Sequence, residues 1–88
     1  MRKRIYFSTI DKDVRRVLGK RLYKKCEDKN NGWIATERSN GDAEYYLNSE
    51  AYFKLMKYIR EHAKSRLTKA FVTSDNNYHI RFEIDNWN

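Results

Sequence analysis

The sequence predicts an α+β fold, a two-layer sandwich of two helices on one mostly antiparallel sheet. Three observations carry that expectation. Two segments repeat apolar residues at helical spacing: Val14, Val17, Leu18 and Leu22 in one, Tyr52, Leu55, Met56, Ile59 and Ala63 in the other. Several short segments alternate apolar with polar residues, as half-buried strands do. Between two of these stands Asn40-Gly41, the favoured pair for a tight type I′ hairpin turn.

The elements follow in order. Residues 3–9 alternate, with Ile5 and Phe7 on one side and Arg4, Tyr6 and Ser8 on the other, and read as a strand. Asp11 or Thr9 can cap the next helix, and Asp11 and Asp13 suit its positive end. That helix is expected from about 11 to about 27, ended by Asn30-Asn31-Gly32. Strands 33–39 and 42–48 flank Asn40-Gly41. A two-residue loop places Ile34 opposite Leu47, Thr36 opposite Tyr45 and Arg38 opposite Ala43. Trp33, Ala35 and Glu37 then share the other face with Asn48, Tyr46 and Glu44. Asn48 or Ser49 caps a second helix that runs to about Ser65. Residues 67–74 and 78–85 form a second hairpin, in which Ile80, Phe82 and Ile84 point inward and Trp87 falls out of phase. The order is β-α-β-β-α-β-β. It suggests a ferredoxin-like βαββαβ core with an extra C-terminal strand and both helices on one side.

Eighty-eight residues make one small domain with a limited core, and a homodimer through a sheet edge is compatible with that size. A hydrophobic share of 40% with 15% aromatics argues for a folded chain despite 35% charged residues. No apolar run approaches the roughly 18–20 residues of a membrane span. The basic N-terminus lacks the apolar region and cleavage site of a signal peptide, so a soluble, cytoplasmic protein is expected, with no membrane partner. Cys26 is alone, so there is no disulfide framework, and it is expected as a buried or half-buried small residue. With only His62 and His79 besides, good zinc ligands are few, and neither metal nor cofactor is expected. Proline is absent while Asn, Lys and Tyr are frequent, a composition common where coding DNA is AT-rich, as in many phages.

The net charge of +7 is unevenly placed. Residues 1–29 carry 11 basic and 4 acidic side chains, and residues 49–70 carry 6 and 2. Residues 30–48 and 71–88 each carry one basic and three acidic ones. From Val14 to Cys26 there are six basic residues and no acid. On a continuous helix, at about 100° per residue, Lys12, Arg16, Lys20 and Lys24 fall opposite Val14 and Leu18, with Tyr23 beside them. Lys54, Lys57 and Lys64 lie opposite Ile59 on the second helix. Surface helices ordinarily carry charge outward, but with both signs mixed. Like charges one turn apart repel by a few tenths of a kcal/mol per pair, so an unmixed basic face points to a negative partner.

Two short stretches carry resemblances. "IYFSTI", Ile5–Ile10, is similar to the first-strand motif of RNA-recognition-motif domains, which share the expected order of the first six elements. That resemblance implies base stacking on Tyr6, with Tyr46 the candidate on the third strand. The third-strand stretch "DAEYYLN" departs from the family pattern: it has no Gly and carries Glu44, which would face Glu37 on the open side of the sheet. "RKRIYFST" followed by a basic helix resembles the start of ribbon-helix-helix repressors, in which a second helix follows at once; here a hairpin intervenes.

The chain has three glycines, at Gly19, Gly32 and Gly41, and no glycine-rich phosphate loop. Glu61-His62 reads as a helix position with a packed, hydrogen-bonded imidazole, and no catalytic residue is assigned. The expected function is a small, basic, non-enzymatic nucleic-acid-binding protein. Its grip on the phosphate backbone of DNA or RNA is expected from Arg2, Lys3, Arg4, Lys12, Arg16, Lys20, Lys24, Lys54, Lys57 and Lys64, with Tyr23 stacking on a sugar or base. One alternative is a phage or mobile-element inhibitor, anti-CRISPR-like or aimed at another defence. Its basic face would meet an acidic protein surface or a nucleoprotein complex, with Trp33, Tyr46, Tyr78 and Trp87 as anchors. A second alternative is a small ribonuclease toxin, since such toxins share this size and charge.

Overall fold

The structure, a computed structural model, describes residues 7–37, 42–62, 66–69 and 71–83. Its elements are α1 (Phe7–Leu18), α2 (Lys20–Lys29), β1 (Ala35–Glu37), β2 (Ala43–Tyr46), α3 (Ser49–Glu61), the single turn α4 (Arg66–Lys69), β3 (Phe71–Ser74) and β4 (His79–Glu83). The α+β class stands. The four described strands form one antiparallel sheet in the order β1-β2-β4-β3. Among the described residues no helix is long and apolar enough to cross a membrane.

The order of elements corrects the ferredoxin-like expectation. Phe7, Ser8 and Thr9 are the first turn of α1 and not the end of a strand over 3–9; residues 3–6 lie outside the described residues. A ferredoxin-like sheet seats its N-terminal strand beside β2, and here β4 holds that place. The reason lies in the inward residues. Ile80 and Phe82, both fully buried, pair in register with Tyr45 and Ala43, and the Phe82 and Tyr45 rings meet edge to face at 5.9 Å. Two buried partners on each strand make this pairing stronger than an exposed edge could provide. Helicity from Phe7 turns Ile10, Val14 and Leu18 inward as one stripe, and α1 packs against both α2 and α3.

The single long helix expected over 11–27 is interrupted at Gly19. Its φ of 82° and ψ of 160° lie in a region that only glycine enters readily, so α1 stops at Leu18 and α2 starts again at Lys20. The elbow turns Leu22, Tyr23 and Cys26 into the core. Lys54 Nζ, from α3, donates to the Leu18 carbonyl at 3.3 Å and so puts a cation on the end of α1. A Cβ at Gly19 would meet no atom within 4 Å, so the penalty of Gly19→Ala is backbone strain alone, about 1–3 kcal/mol. A thermal melt of Gly19→Ala is expected to show a drop of several degrees; an unchanged midpoint would mean that the elbow is not held at this residue.

The "NNG" stop acts as expected. Asn31 and Gly32 have positive φ, Gly32 N donates to the Glu27 carbonyl, and the Asn30 side chain bridges the Cys26 and Tyr46 carbonyls. Asn48 caps α3 by accepting from Ala51 N at 2.8 Å. The first hairpin is shifted by one residue from the expected register: Ala35 pairs with Tyr45, Thr36 with Glu44 and Glu37 with Ala43. The expected turn at Asn40-Gly41 lies outside the described residues. The shift takes Glu37 off the face that holds Glu44, which relieves the repulsion that the expected register created. In the second hairpin Leu67, expected in a strand, is a buried residue of α4, and strand begins only at Phe71. Trp87 lies outside the described residues.

Candidate functional site

The elbow creates a concave surface from what would otherwise be a convex basic face. A groove of about 400 Å³ is lined by Lys12, Arg15, Arg16, Gly19, Lys20, Tyr23, Lys24 and Glu27. Five of these are cations and one is an acid. Lys12, Arg16, Lys20, Tyr23 and Lys24 are all among the residues expected at the interface, and the fold brings them together. Lys54 and Lys57 line a shallower neighbouring basin of about 320 Å³ with Val17, Tyr58, Glu61 and His62. Arg16 belongs to both depressions, so the cationic surfaces of α1, α2 and α3 meet at its side chain. Arg2, Lys3, Arg4 and Lys64 lie outside the described residues.

The groove is backed by a polar hub. The Asp11 carboxylate accepts from the Tyr23 and Tyr45 hydroxyls, both at 2.8 Å on Oδ1, and from Arg15 Nε at 2.7 Å on Oδ2. One acid thereby ties α1 to α2 and to β2. Burial pushes its carboxyl pKa up, but the Arg15 guanidinium and the two hydroxyls outweigh that and hold it below the ordinary value. Tyr23 and Tyr45 are both raised, first by burial and further by donating to, or lying beside, the Asp11 charge. Asp11 is thus no helix cap: it sits within α1, where Arg15 of the same helix and two hydroxyls from α2 and β2 converge on it.

Tyr23 corrects an expectation. Helical spacing puts it on the outer face, free to stack on a base, yet it is only 5% exposed. The break at Gly19 sets α2 out of phase with α1, which brings Tyr23 inward; its hydroxyl goes to Asp11 and the Arg15 guanidinium lies 4.1 Å from its ring centre. Tyr23 is the floor of the groove and offers no open stacking face. The cations also have more partners than the sequence suggests. Arg16 donates to the Tyr58 hydroxyl at 3.1 Å and lies 3.8 Å from Asp13, and Lys24 pairs with Asp28 at 3.1 Å. These are exposed pairs, screened by solvent and salt, and contribute little to stability. Arg21 pairs with Glu50 of α3 at 3.2 Å and lies outside the groove.

Arg15 was missed as an interface residue. Its signal in the sequence was the spacing of four from Asp11, which places opposite charges one turn apart on a helix. His62 is hydrogen-bonded as expected but exposed, not packed: its Nδ1 lies 3.0 Å from the Tyr58 carbonyl oxygen and its ring stacks on Tyr58. Cys26 is fully buried, and burial raises its thiol pKa, which keeps it a neutral core residue. Among the described residues no group of three or more His, Cys, Asp or Glu is placed to hold a metal ion.

Aromatic residues gather elsewhere. On the sheet face opposite Tyr45, Trp33 meets Tyr46 edge to face at 5.4 Å, and Tyr46 stacks on His79 at 4.7 Å. Tyr46, named for base stacking by the RNA-recognition-motif resemblance, is half-buried here between Trp33 and His79. Its companions differ from that pattern: Tyr46 donates to Glu44, and His79 lies between Glu44 and Asp75. Tyr6 lies outside the described residues, and Phe7–Ile10 of the motif are helical. On α3, Phe53 is 59% exposed and packs edgewise on Tyr52 and Tyr78.

A concave set of cationic donors over a neutral aromatic floor is suited chemically to holding oxyanions. No protein-family model matches the chain, and neither does any curated protein or solved structure.

Proposed function

We propose that this protein is a small, non-enzymatic, cytoplasmic nucleic-acid-binding protein that holds phosphate in the groove at the α1–α2 elbow. The observation that carries this reading is the convergence of Lys12, Arg15, Arg16, Lys20 and Lys24 on one groove that has a single acid, Glu27, in its lining. A merely solvated basic face would spread its cations over a convex helix. Concentrating five of them raises their mutual repulsion, which a row of phosphates relieves. Lys54 and Lys57 extend the surface past Arg16. Contacts of this type read the backbone, so sequence selectivity is weak and salt dependence steep.

The test is fluorescence anisotropy with labelled duplex DNA, single-stranded DNA and RNA across a salt series. Four to five phosphate contacts on a duplex imply a log–log salt slope of roughly −4, and roughly −3 on a single strand. Absence of binding at low salt would overturn the reading.

A second reading is favoured by one observation. Phe53 is more than half exposed and forms an aromatic cluster with Tyr52 and Tyr78, the composition of an anchor in a protein interface. In that case the chain is an inhibitor of the phage or mobile-element kind, binding a protein or nucleoprotein complex. Phe53→Ala would then abolish capture of that complex, while leaving the binding of free nucleic acid unchanged.

A further inference from the structure

We propose that Arg15 is the anchoring residue of the groove: it takes two oxygens of one phosphate through Nη1 and Nη2, in an orientation fixed by Asp11 and Tyr23. This rests on the nucleic-acid reading for the source of the phosphate and on geometry for the site itself.

The guanidinium is held on two sides. Nε donates to Asp11 Oδ2 at 2.7 Å, and the group lies 4.1 Å from the centre of the Tyr23 ring. Both supports are themselves fixed, because Asp11 also accepts from the buried Tyr23 and Tyr45. Among the described residues no acceptor meets Nη1 or Nη2, although the residue lines the groove and its side chain is 57% exposed. An arginine pinned at Nε with its outer edge free presents the planar two-donor fork that matches a phosphate. Little side-chain freedom remains to be lost on binding, which is where preorganised contacts gain affinity.

Charges facing the fork are of both signs. Asp11 and Glu27 oppose an anion, but Asp11 already accepts three hydrogen bonds, and Lys12, Arg16, Lys20 and Lys24 outnumber the two acids around the groove. Among the described residues Lys12 and Lys20 form no ion pair and can close on the same phosphate.

Arginine is specifically required by this geometry. Its Nε serves Asp11 while its Nη groups serve the ligand. A lysine has one head group and must choose, and Asp11 is the nearer partner. Arg15→Lys, which keeps the net charge, is therefore expected to weaken binding to single-stranded RNA and duplex DNA by roughly tenfold and to lower the salt slope by about one contact. Arg21→Lys, the same exchange at a residue outside the groove, should as a control change neither. Arg15→Lys with wild-type affinity in both ligands would overturn the proposal.

A second measurement does not depend on the variant folding. The arginine side-chain N–H signals of the wild-type protein are followed by NMR during titration with inorganic phosphate. Saturable shifts at Arg15 ahead of the other arginines support the anchor. If wild-type protein binds neither nucleic acid but Arg15 responds to phosphate, the nucleic-acid reading falls and the phosphate site stands. If Arg15 does not respond, the anchor is overturned even where nucleic acid binds.

Discussion

Replacing Asp11 with alanine is expected to lower the thermal midpoint by roughly 15 °C. The substitution withdraws one carboxylate from three donors at once: the buried hydroxyls of Tyr23 and Tyr45 and the Nε of Arg15. Hydrogen bonds to a charged group contribute about 1.5–3 kcal/mol each when a buried partner loses its acceptor. The Arg15 bond is discounted because that side chain is largely exposed. The two tyrosines alone put the loss at roughly 3 kcal/mol, and each kcal/mol moves the midpoint of a domain this size by about 4–8 °C. Tyr45→Phe removes one donor and is expected to fall between the variant and the wild type. An Asp11→Ala midpoint within about 3 °C of wild type would show that the hub does not join the helices to the sheet.

The same hub sets a pH dependence whose sign follows from its lowered carboxyl. In the unfolded chain Asp11 titrates near its ordinary value of about 3.9; in the folded chain its pKa is lower, because the donors outweigh the effect of burial. Its contribution to stability is therefore complete above the unfolded value and is lost as pH falls through the folded one. Melts between pH 7 and pH 2 should show a decline at the acid end that is shallower in Asp11→Ala, where only other lowered carboxyls such as Asp75 remain. A parallel decline in both proteins would assign it to other carboxylates.

Reversing Arg16, Lys20 and Lys24 to glutamate together is expected to reduce nucleic-acid affinity by at least 100-fold at low salt and to leave the chain folded. All three side chains are exposed, and their partners in the protein are surface groups. With three phosphate contacts gone, the log–log salt slope on a duplex should flatten by roughly 2.7. The comparison that isolates the groove is the triple reversal of Arg21, Lys25 and Lys29. It changes the net charge by the same amount on residues that do not line the groove. Equal losses from the two triples would mean that affinity follows net charge, and the elbow would then have no special part in binding.

Much of this protein can be read directly from residue order. The apolar stripes over 14–22 and 52–59, the Asn30-Asn31-Gly32 stop, the Asn48 cap and the alternation of Ile80 and Phe82 are local signals, and the fold uses each one. The concentration of cations in the helices is likewise a property of the sequence, and it picked out four cations and a tyrosine of the groove. What the sequence could not decide depends on competition between distant segments. Residues 7–9 satisfy a strand pattern, and helicity prevails because it delivers Asp11 to hydroxyls 12 and 34 residues away. Periodicity runs straight through Gly19, since a glycine inside a helix is tolerated at about 1 kcal/mol; the bend there is selected by what α2 buries after it. That bend turns Tyr23 from the surface to the floor and makes the basic face concave, and among the described residues no acceptor meets the outer edge of Arg15. The strand order has the same origin: β4 lies beside β2 because Ile80 and Phe82 find Tyr45 and Ala43 there, a match that exists only once both hairpins have formed. The sequence by itself determined the class of the fold and the sign of its surface. The groove that gives this charge a place to act was decided by tertiary packing, because the bend at Gly19 is what turns the Tyr23 hydroxyl to Asp11.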